Sequence, residues 1–313
     1  MRFGHLVIGP PGSGKSTYCN GMHQFMSALG RKVVILNLDP ANDRLPYEPD
    51  IDISDLVMVR NVMKEFDLGP NGALLYAVQF MLKNVDWIIE KIDRLESGTF
   101  VLIDCPGQVE LFTHDESMRG IVAALLKRDL QLACVNLLDS FHCRNIFHFL
   151  SGVLISLSSM LRLELPHVNV LSKIDLVETM GQLPVDLEYY LDLTRISYLL
   201  ETEYDLDVPE SQKSMLQKLA EGISEVVEEF SLVSFVPLDI MKKESVFDVL
   251  KCVDKAVGYL VGEENDRLKM MAMTSALQDD ILDEKYKEIE KGLKESEESG
   301  EGEEKEGWEH MKE

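Results

Sequence analysis

Near the start of the chain lies the run Gly9-Pro10-Pro11-Gly12-Ser13-Gly14-Lys15-Ser16-Thr17. It follows a short apolar run at residues 6–8 and leads into a segment of helix-compatible composition at residues 17–29. Glycines let the backbone curl so that successive N–H groups point at a phosphate, and a helix that begins there adds the positive end of its dipole. The pattern G-x-x-x-x-G-K-[ST] between a strand and a helix therefore predicts a site for a nucleoside triphosphate.

The side chains of this loop have separate predicted roles. Lys15 would bring a positive charge to the β- and γ-phosphates, and the Ser16 hydroxyl would be a ligand of Mg²⁺. The alternative is an ordinary glycine-rich turn with no ligand. The phosphate-binding interpretation is favoured because every required position of the G-x-x-x-x-G-K-[ST] pattern is filled. The residues of the loop that we assign to nucleotide binding are Gly12, Ser13, Gly14, Lys15, Ser16 and Thr17.

Composition limits the remaining classes of function. The chain has 313 residues, a formal net charge of -24 and a sequence pI near 4.7, so it would repel a polyanion, and we expect no direct nucleic-acid binding. Its five cysteines form no C-x-x-C pair, which favours reduced thiols in the cytosol or nucleus. No signal-peptide pattern opens the chain, and serines and Arg162 interrupt the apolar residues 150–163. We expect a cytoplasmic protein with no membrane span.

Apolar runs alternate with longer helical patterns along the chain. This alternation predicts an α/β fold with a doubly wound, mostly parallel sheet and helical insertions. Ligands of such sheets bind at the carboxyl ends of the strands, where Asp39, Asp104, Asp139 and Ser172 all fall. The predicted strands are residues 6–8, 33–36, 100–103, 133–138, 168–171 and 233–236.

We predict three regions along the chain. A phosphate-loop domain would cover residues 1–262, with one helix over 75–92 and a helical insertion over 185–230. A helix over 263–293 would then dock on this body. The tail, residues 294–313, is rich in Glu, Gly, Ser and Lys and is expected to be acidic and disordered.

The strand at residues 100–103 ends in Asp104-Cys105-Pro106-Gly107-Gln108. An aspartate at this place in phosphate-loop enzymes holds Mg²⁺, the Gly107 N–H would reach the γ-phosphate, and Gln108 would orient the attacking water. Asp39 stands before a proline and is therefore held extended at a strand end. It would act as the base toward water or hold the metal's water shell; the predicted metal set is Ser16, Asp39 and Asp104.

Two further segments each allow two interpretations. Ser172-Lys173-Ile174-Asp175 is similar to the [NT]-K-x-D element that reads guanine, although Ser172 or Asp175 could instead cap a helix. Residues 69–72, Gly-Pro-Asn-Gly, suit a type II turn, and Asn71 could also cap the helix that follows.

Taken together, these motifs resemble the GPN-loop GTPases. The similarity includes Gly9–Thr17, residues 38–41, Gly69-Pro70-Asn71, residues 104–110 and residues 171–176, and it runs to about Gly262. The resemblance implies a nucleotide-dependent dimer, homomeric or with a paralogue, in which Gly69, Pro70 and Asn71 form part of the interface. It also implies that Asn71 of one subunit helps to stabilise the phosphate that is cleaved in the other, and that Leu238 backs the base.

The same resemblance implies a role for the chain in the cell. The family is implicated in the assembly and nuclear delivery of RNA polymerase II and of other RNA polymerases, so we expect RNA polymerase subunits or assembly chaperones as partners. A cytoplasmic protein that shuttles to the nucleus would fit this role.

Two other functions remain open at this point. The chain could be a phosphate-loop kinase that phosphorylates a small molecule or a polynucleotide end, although its arginines are scattered and no Arg-rich lid is evident. It could also be a scaffold that binds nucleotide without hydrolysing it. The predicted ligands, GTP or GDP with Mg²⁺, belong to the GTPase hypothesis.

Overall fold

The computed structural model describes residues 1–42, 44–180, 186–191, 193, 218–219, 221–227 and 233–259. The chain divides into two units, Met1–Leu260 and Val261–Glu313, and the second unit lies outside the described residues. The predicted helix at 263–293 and the acidic tail at 294–313 therefore lie outside them as well, as does most of the predicted insertion at 185–230.

The described residues form a seven-stranded, all-parallel sheet in the order β3-β2-β4-β1-β5-β6-β7. Strand β1 lies between β4 and β5, so its residues 4–8 are fully buried. This architecture confirms the predicted α/β class with a parallel sheet. The strands are β1 Arg2–Ile8, β2 Val33–Asn37, β3 Ile51–Asp52, β4 Phe100–Asp104, β5 Leu130–Asp139, β6 His167–Ser172 and β7 Phe235–Leu238.

Helices cover both faces of the sheet. Val101 and Ile103 of β4 belong to one apolar cluster with residues of several helices, whereas the buried Leu102 between them points to the opposite face, because side chains alternate along a strand. The helices whose bounds lie within the described residues are α1 Lys15–Ala28, α2 Val59–Phe66, α3 Pro70–Lys83, α4 Val85–Asp93, α5 Glu110–Thr113, α6 Ser117–Leu126, α7 Ile146–Leu163, α8 Glu188–Leu191 and α9 Lys243–Val257.

The predicted single helix over residues 75–92 is wrong, because two helices occupy this region. Helix α3 ends at Lys83 and α4 begins at Val85. Asn84 between them leaves the helical region at φ -112° and ψ 29°, and its side-chain amide donates to the Phe80 carbonyl at 2.8 Å. The Asn84 backbone N–H donates to the same carbonyl at 3.1 Å, so the residue closes the end of α3 through both its main chain and its side chain.

The predicted type II turn at residues 69–72 is also wrong. Gly69 is the N-cap of α3, Pro70 takes the first helical position, and Asn71 lies inside the first turn. Proline fits there because its missing N–H would have no partner in the helix. Asn71 does not cap the helix, so its side chain is available for another contact.

Several strand bounds differ from those predicted. Strand β1 begins at Arg2, and β7 runs over Phe235–Leu238, two residues later than expected. The two-residue strand β3 was not predicted, since it is too short to give a pattern. Helix α7 is long and apolar enough to cross a membrane by length and composition alone, and half of that segment is buried inside the protein.

Candidate active site

The loop between β1 and α1 requires glycine at two points. Gly9 has φ 144°, and a Cβ on it would lie 2.4 Å from the Leu137 carbonyl oxygen of β5. Gly14 has φ 93° and is the N-cap of α1. An L side chain is strained at such angles, so glycines allow the loop to lie against β5 and to turn directly into the helix.

Lys15 lies inside the loop that precedes it. Its side chain is largely buried, with 8% exposure for the residue, and its Nζ donates to the carbonyls of Gly9 at 3.0 Å and Pro10 at 3.1 Å. Burial lowers the pKa of Lys15, and the negative charges of Asp104 and Asp39 oppose that shift. The ammonium is therefore the positive centre of a site with two carboxylates near it.

Asp104 ends β4 and is almost fully buried. Its Oδ2 accepts a hydrogen bond of 2.7 Å from the Tyr47 hydroxyl, whereas its Oδ1 is buried without a hydrogen-bond partner in the described part of the chain. Burial raises the pKa of Asp104, while the hydroxyls of Tyr47 and Ser16 and the charge of Lys15 act in the opposite direction.

Asp39 lies two residues beyond the end of β2. Its Oδ1 accepts from the Ala41 N–H at 2.9 Å, and its own N–H donates to Asn37 Oδ1 at 3.0 Å. Burial raises its pKa, and the Ala41 N–H and Lys15 lower it. The prediction that Asp39 and Asp104 meet at one edge of the sheet agrees with this arrangement, because each carboxylate acts on Lys15.

The chemistry of these groups fits Mg²⁺. Mg²⁺ prefers oxygen ligands and is usually held by one or two carboxylates together with phosphate oxygens and waters. Ser16, Asp39 and Asp104 supply such oxygens, and the unpartnered Asp104 Oδ1 is a buried acceptor that a cation or its water would satisfy. The described residues hold no group of three or more His, Cys, Asp or Glu side chains that would bind a metal without phosphate.

The turn after β4 brings Gly107 and Gln108 to the phosphate loop. A Cβ on Gly107 would lie 3.1 Å from Lys15 Nζ and 3.2 Å from Pro11 Cα, so the backbone passes close to the ammonium. Gln108 follows, and its Nε2 donates to Asn71 Oδ1 at 2.8 Å. The start of α3 therefore reaches the phosphate end of the site within one chain, which the sequence did not predict.

A second cavity, of about 120 Å³, lies beside the loop. Its lining brings together one group of predicted nucleotide-binding residues from the loop and another from the ends of β6 and β7. Asp175 is exposed at its rim, and Leu238 ends β7. Ile174 begins a 3-10 segment and packs against the neighbouring core. The lining residues are Ser13, Gly14, Thr17, Tyr18, Leu137, Ser172, Lys173, Asp175, Leu238 and Ile240.

Ser172 does not cap a helix, so the alternative interpretation as an N-cap is wrong for this residue. It ends β6, and its buried hydroxyl lies 2.8 Å from the Ser13 carbonyl and 3.2 Å from the Leu138 carbonyl. A donor in this place fastens the phosphate loop to the sheet. Lys173 follows with φ 60°, and its Nζ contacts Asp139 Oδ2 at 2.7 Å.

Sequence reasoning missed two contributors to the site. Tyr47 lies in an aperiodic, proline-rich segment and was given no role, yet it contacts Asp104. Asp139 was placed at a strand end but given no role, whereas it holds Lys173. The strand-end position was the signal for Asp139, whereas for Tyr47 no local rule of structure indicates a contact with Asp104.

A phosphate loop between strand and helix, an aspartate at the end of a neighbouring parallel strand and a second pocket beside the loop define a phosphate-loop nucleotide-binding protein. Comparison with known proteins narrows this class. Residues 7–259 match a family model described as a conserved hypothetical ATP-binding protein. The chain is 48% identical over 276 residues to GPN-loop GTPase 2 of Danio rerio, covering 88% of this chain and 87% of that protein.

A second relative and a solved structure are similar to this chain as well. The chain is 47% identical over 262 residues to a GPN-loop GTPase 2 homolog of Dictyostelium discoideum, covering 84% of this chain and 82% of that protein. A crystal structure of an apo-form GTPase from Pyrococcus abyssi shares the fold, with a TM-score of 0.64 at 24% identity over 83% of this chain and 98% of that one. The chain belongs to the GPN-loop GTPase family, as the motifs predicted.

Proposed function

We propose that the chain is a dimeric GTPase that hydrolyses GTP to GDP and phosphate with Mg²⁺. The observation that carries this proposal is the convergence on the Lys15 ammonium of the phosphate loop, Asp104, Asp39 and the Gly107 backbone. Positive charge, backbone donors and carboxylates at one point are what phosphoryl transfer requires, because its catalysis is mostly positioning and electrostatic stabilisation.

In the reaction, a water oxygen bonds to the γ-phosphorus as the bond from that phosphorus to the β–γ bridging oxygen breaks. Lys15 and the loop N–H groups bind the phosphate oxygens, and Gln108 orients the water. Asp39 accepts the water's proton or, in its other candidate role, holds the metal's water shell. The water's proton ends on the released phosphate, passed on by Asp39 where that residue is the base, and the bridging oxygen leaves on GDP with the electron pair of the broken bond.

Bound Mg²⁺ would supply positive charge to the phosphate oxygens. Ser16, Asp104 and Asp39 are the residues that would hold it, as the unpartnered Asp104 Oδ1 supports. The site would thereby gain positive charge beside the Asp39 and Asp104 carboxylates, whose pKa values burial raises.

The cavity beside the loop would bind guanine. The Asp175 carboxylate can accept hydrogen bonds from the N1–H and the exocyclic amine of guanine, which adenine does not present in that arrangement. Leu238 and the stem of Lys173 supply apolar surface for the base, and Asp139 holds the Lys173 ammonium at the other end.

The dimer would be completed through the start of α3. Gly69, Pro70 and Asn71 are exposed, and the large apolar side chains of Phe66 and Leu68, which precede them, are 50% and 36% exposed. The Gln108 contact uses Asn71 Oδ1, so its Nδ2 remains a donor for a phosphate bound by a second subunit. The partner would be a second copy or a paralogous GPN-loop GTPase.

In the cell, we propose that this nucleotide-dependent dimer acts in the assembly and nuclear import of RNA polymerase II, with RNA polymerase subunits or assembly chaperones as clients. The support is the family resemblance alone. A pull-down with GTP analogue and with GDP tests it: nucleotide-dependent capture of polymerase subunits is expected, and equal capture in both states argues against a switch.

A competition of GDP against ADP, run beside sedimentation with a non-hydrolysable GTP analogue, tests the proposal. We expect GDP to bind more tightly than ADP, the analogue to promote a dimer, and phosphate to be released to water. Phosphate transfer to an added acceptor faster than release would replace the proposal with a kinase. Nucleotide binding without measurable release, on a chain that captures its client regardless of nucleotide, would replace it with a scaffold.

A further inference from the structure

We propose that Tyr47 is a positioning residue that orients the Asp104 carboxylate toward Mg²⁺. The inference rests on the proposed nucleotide and Mg²⁺ site and names a residue to which the sequence analysis gave no role. It begins from the two oxygens of Asp104, which have different surroundings.

Oδ2 of Asp104 accepts a hydrogen bond of 2.7 Å from the Tyr47 hydroxyl, and Oδ1 is buried without a partner in the described residues. A carboxylate with one oxygen held in this way cannot rotate freely about its terminal bond. The remaining oxygen then keeps one direction, which is the arrangement seen when outer hydrogen bonds fix a metal-binding carboxylate.

The Ser16 hydroxyl and the Lys15 charge also act on the Asp104 carboxylate, and the bond from Tyr47 is the one that fixes Oδ2. Asp104 lies on β4 with both neighbouring strands paired to it, so its backbone is fixed while its side chain still has a rotatable terminal bond. Tyr47 comes from the segment between β2 and β3, residues 38–50. That segment is anchored at one end by the hydrogen bond from the Val59 N–H to the Pro40 carbonyl and at the other by the bond from the Asp50 N–H to the Ile35 carbonyl.

Between those anchors, the described residues of 42–49 make one hydrogen bond to the sheet, the bond from Tyr47 to Asp104. Tyr47 also lines an open cleft of about 730 Å³ and is only partly buried. Removing its hydroxyl therefore leaves the apolar core intact, and the change acts on Asp104 and on this segment.

The Tyr47→Phe variant tests the proposal through binding, without any need for turnover. The affinity for a fluorescent GDP and for a fluorescent non-hydrolysable GTP analogue is measured with excess EDTA and across a MgCl₂ titration. We expect the affinity in EDTA to change by less than about twofold and the MgCl₂ midpoint to rise about tenfold, the effect of losing an outer hydrogen bond to a metal ligand.

Tyr259→Phe is the matched control, because it also removes one hydroxyl but packs on Phe3 and Phe100 at the opposite end of the strands. Its MgCl₂ midpoint should equal that of the unchanged protein. Melting temperatures of both variants are recorded without nucleotide.

Three results would overturn the proposal. An unchanged midpoint in Tyr47→Phe shows that Asp104 needs no positioning, and a lower midpoint shows that Tyr47 competes with Mg²⁺. Equal loss of affinity with and without Mg²⁺, with a lower melting temperature, shows a structural role only. A chain that binds nucleotide and Mg²⁺ but never releases phosphate would overturn the proposed GTPase function and leave this test intact.

Discussion

The two sides of the phosphate site are built differently. Lys15 and Asp104 are buried, and backbone carbonyls, strand pairing and neighbouring charges fix them. Asn71, opposite them, is exposed at the start of α3 and is held among the described residues by one hydrogen bond from Gln108. A buried, fixed side suits tight binding of a charged ligand, whereas an exposed donor remains accessible to a second chain. The following predictions test this division.

The largest effect is expected on the buried side. Lys15→Ala should lower nucleotide affinity about a thousandfold, because hydrogen bonds to charged groups contribute about 1.5–3 kcal/mol each and Lys15 would make more than one to the phosphates. Equilibrium binding of fluorescent GTP measures it, with the exposed Lys127→Ala as control. Unchanged nucleotide affinity in Lys15→Ala would show that the buried side of the site does not provide the binding of the phosphates.

The exposed side should control turnover instead. Asn71→Ala should leave GTP affinity within about threefold and slow single-turnover hydrolysis about a hundredfold, the usual cost of one preorganised donor. Asn20→Ala is a matched control, since Asn20 Oδ1 also accepts from a glutamine, Gln24, in an exposed pair at 3.0 Å. Equal hydrolysis rates for Asn71→Ala and the unchanged protein would show that Asn71 does not act on the phosphate bound by a second subunit.

Base selection should depend on an exposed carboxylate at the rim of the second cavity. Asp175→Asn should weaken GDP binding about tenfold to a hundredfold with little change for ADP, because it loses acceptors for the guanine N–H groups. Competition assays with GDP and ADP measure this change in selectivity. The surface variant Asp248→Asn is the control and should not change it. An equal loss of affinity for ADP would show that Asp175 supports the structure of the loop and does not recognise the guanine base.

Two histidines with ring nitrogens shielded from water should make stability depend on pH. Burial lowers the pKa of His5 to about 3 and that of His167 to about 4. The unfolded chain takes up their protons below about pH 6.5 and the folded chain does not, so the free energy of unfolding should fall as the pH falls from 6.5 toward 4. Each histidine adds a slope of about 1.4 kcal/mol per pH unit.

Urea unfolding at several pH values measures that slope. A His5→Asn variant should show a shallower loss of stability on acidification, because it removes one of the histidines whose pKa burial lowers and leaves a neutral polar side chain beside the Tyr18 hydroxyl. An identical slope in the variant would mean that His5 is protonated in the folded chain.

Much of the phosphate side could be predicted from the chain alone. The phosphate loop is a local pattern, and the buried strands are continuous apolar runs, so the edge at which Asp39 and Asp104 meet follows from strand ends. The exposed side could not be predicted in this way. Residues 69–72 have turn composition, yet Pro70 also suits the first position of a helix, and local composition does not choose between the two.

The sequence by itself determined the phosphate loop, the parallel sheet and the carboxylates at its edge, because these depend on short patterns and on hydrophobic periodicity. Only the tertiary structure decided that Ser172 fastens the loop, that Asn71 contacts Gln108 and that Tyr47 holds Asp104. Each of these contacts joins residues 37 or more positions apart, and no local rule of chain geometry connects such residues until the sheet has brought them together.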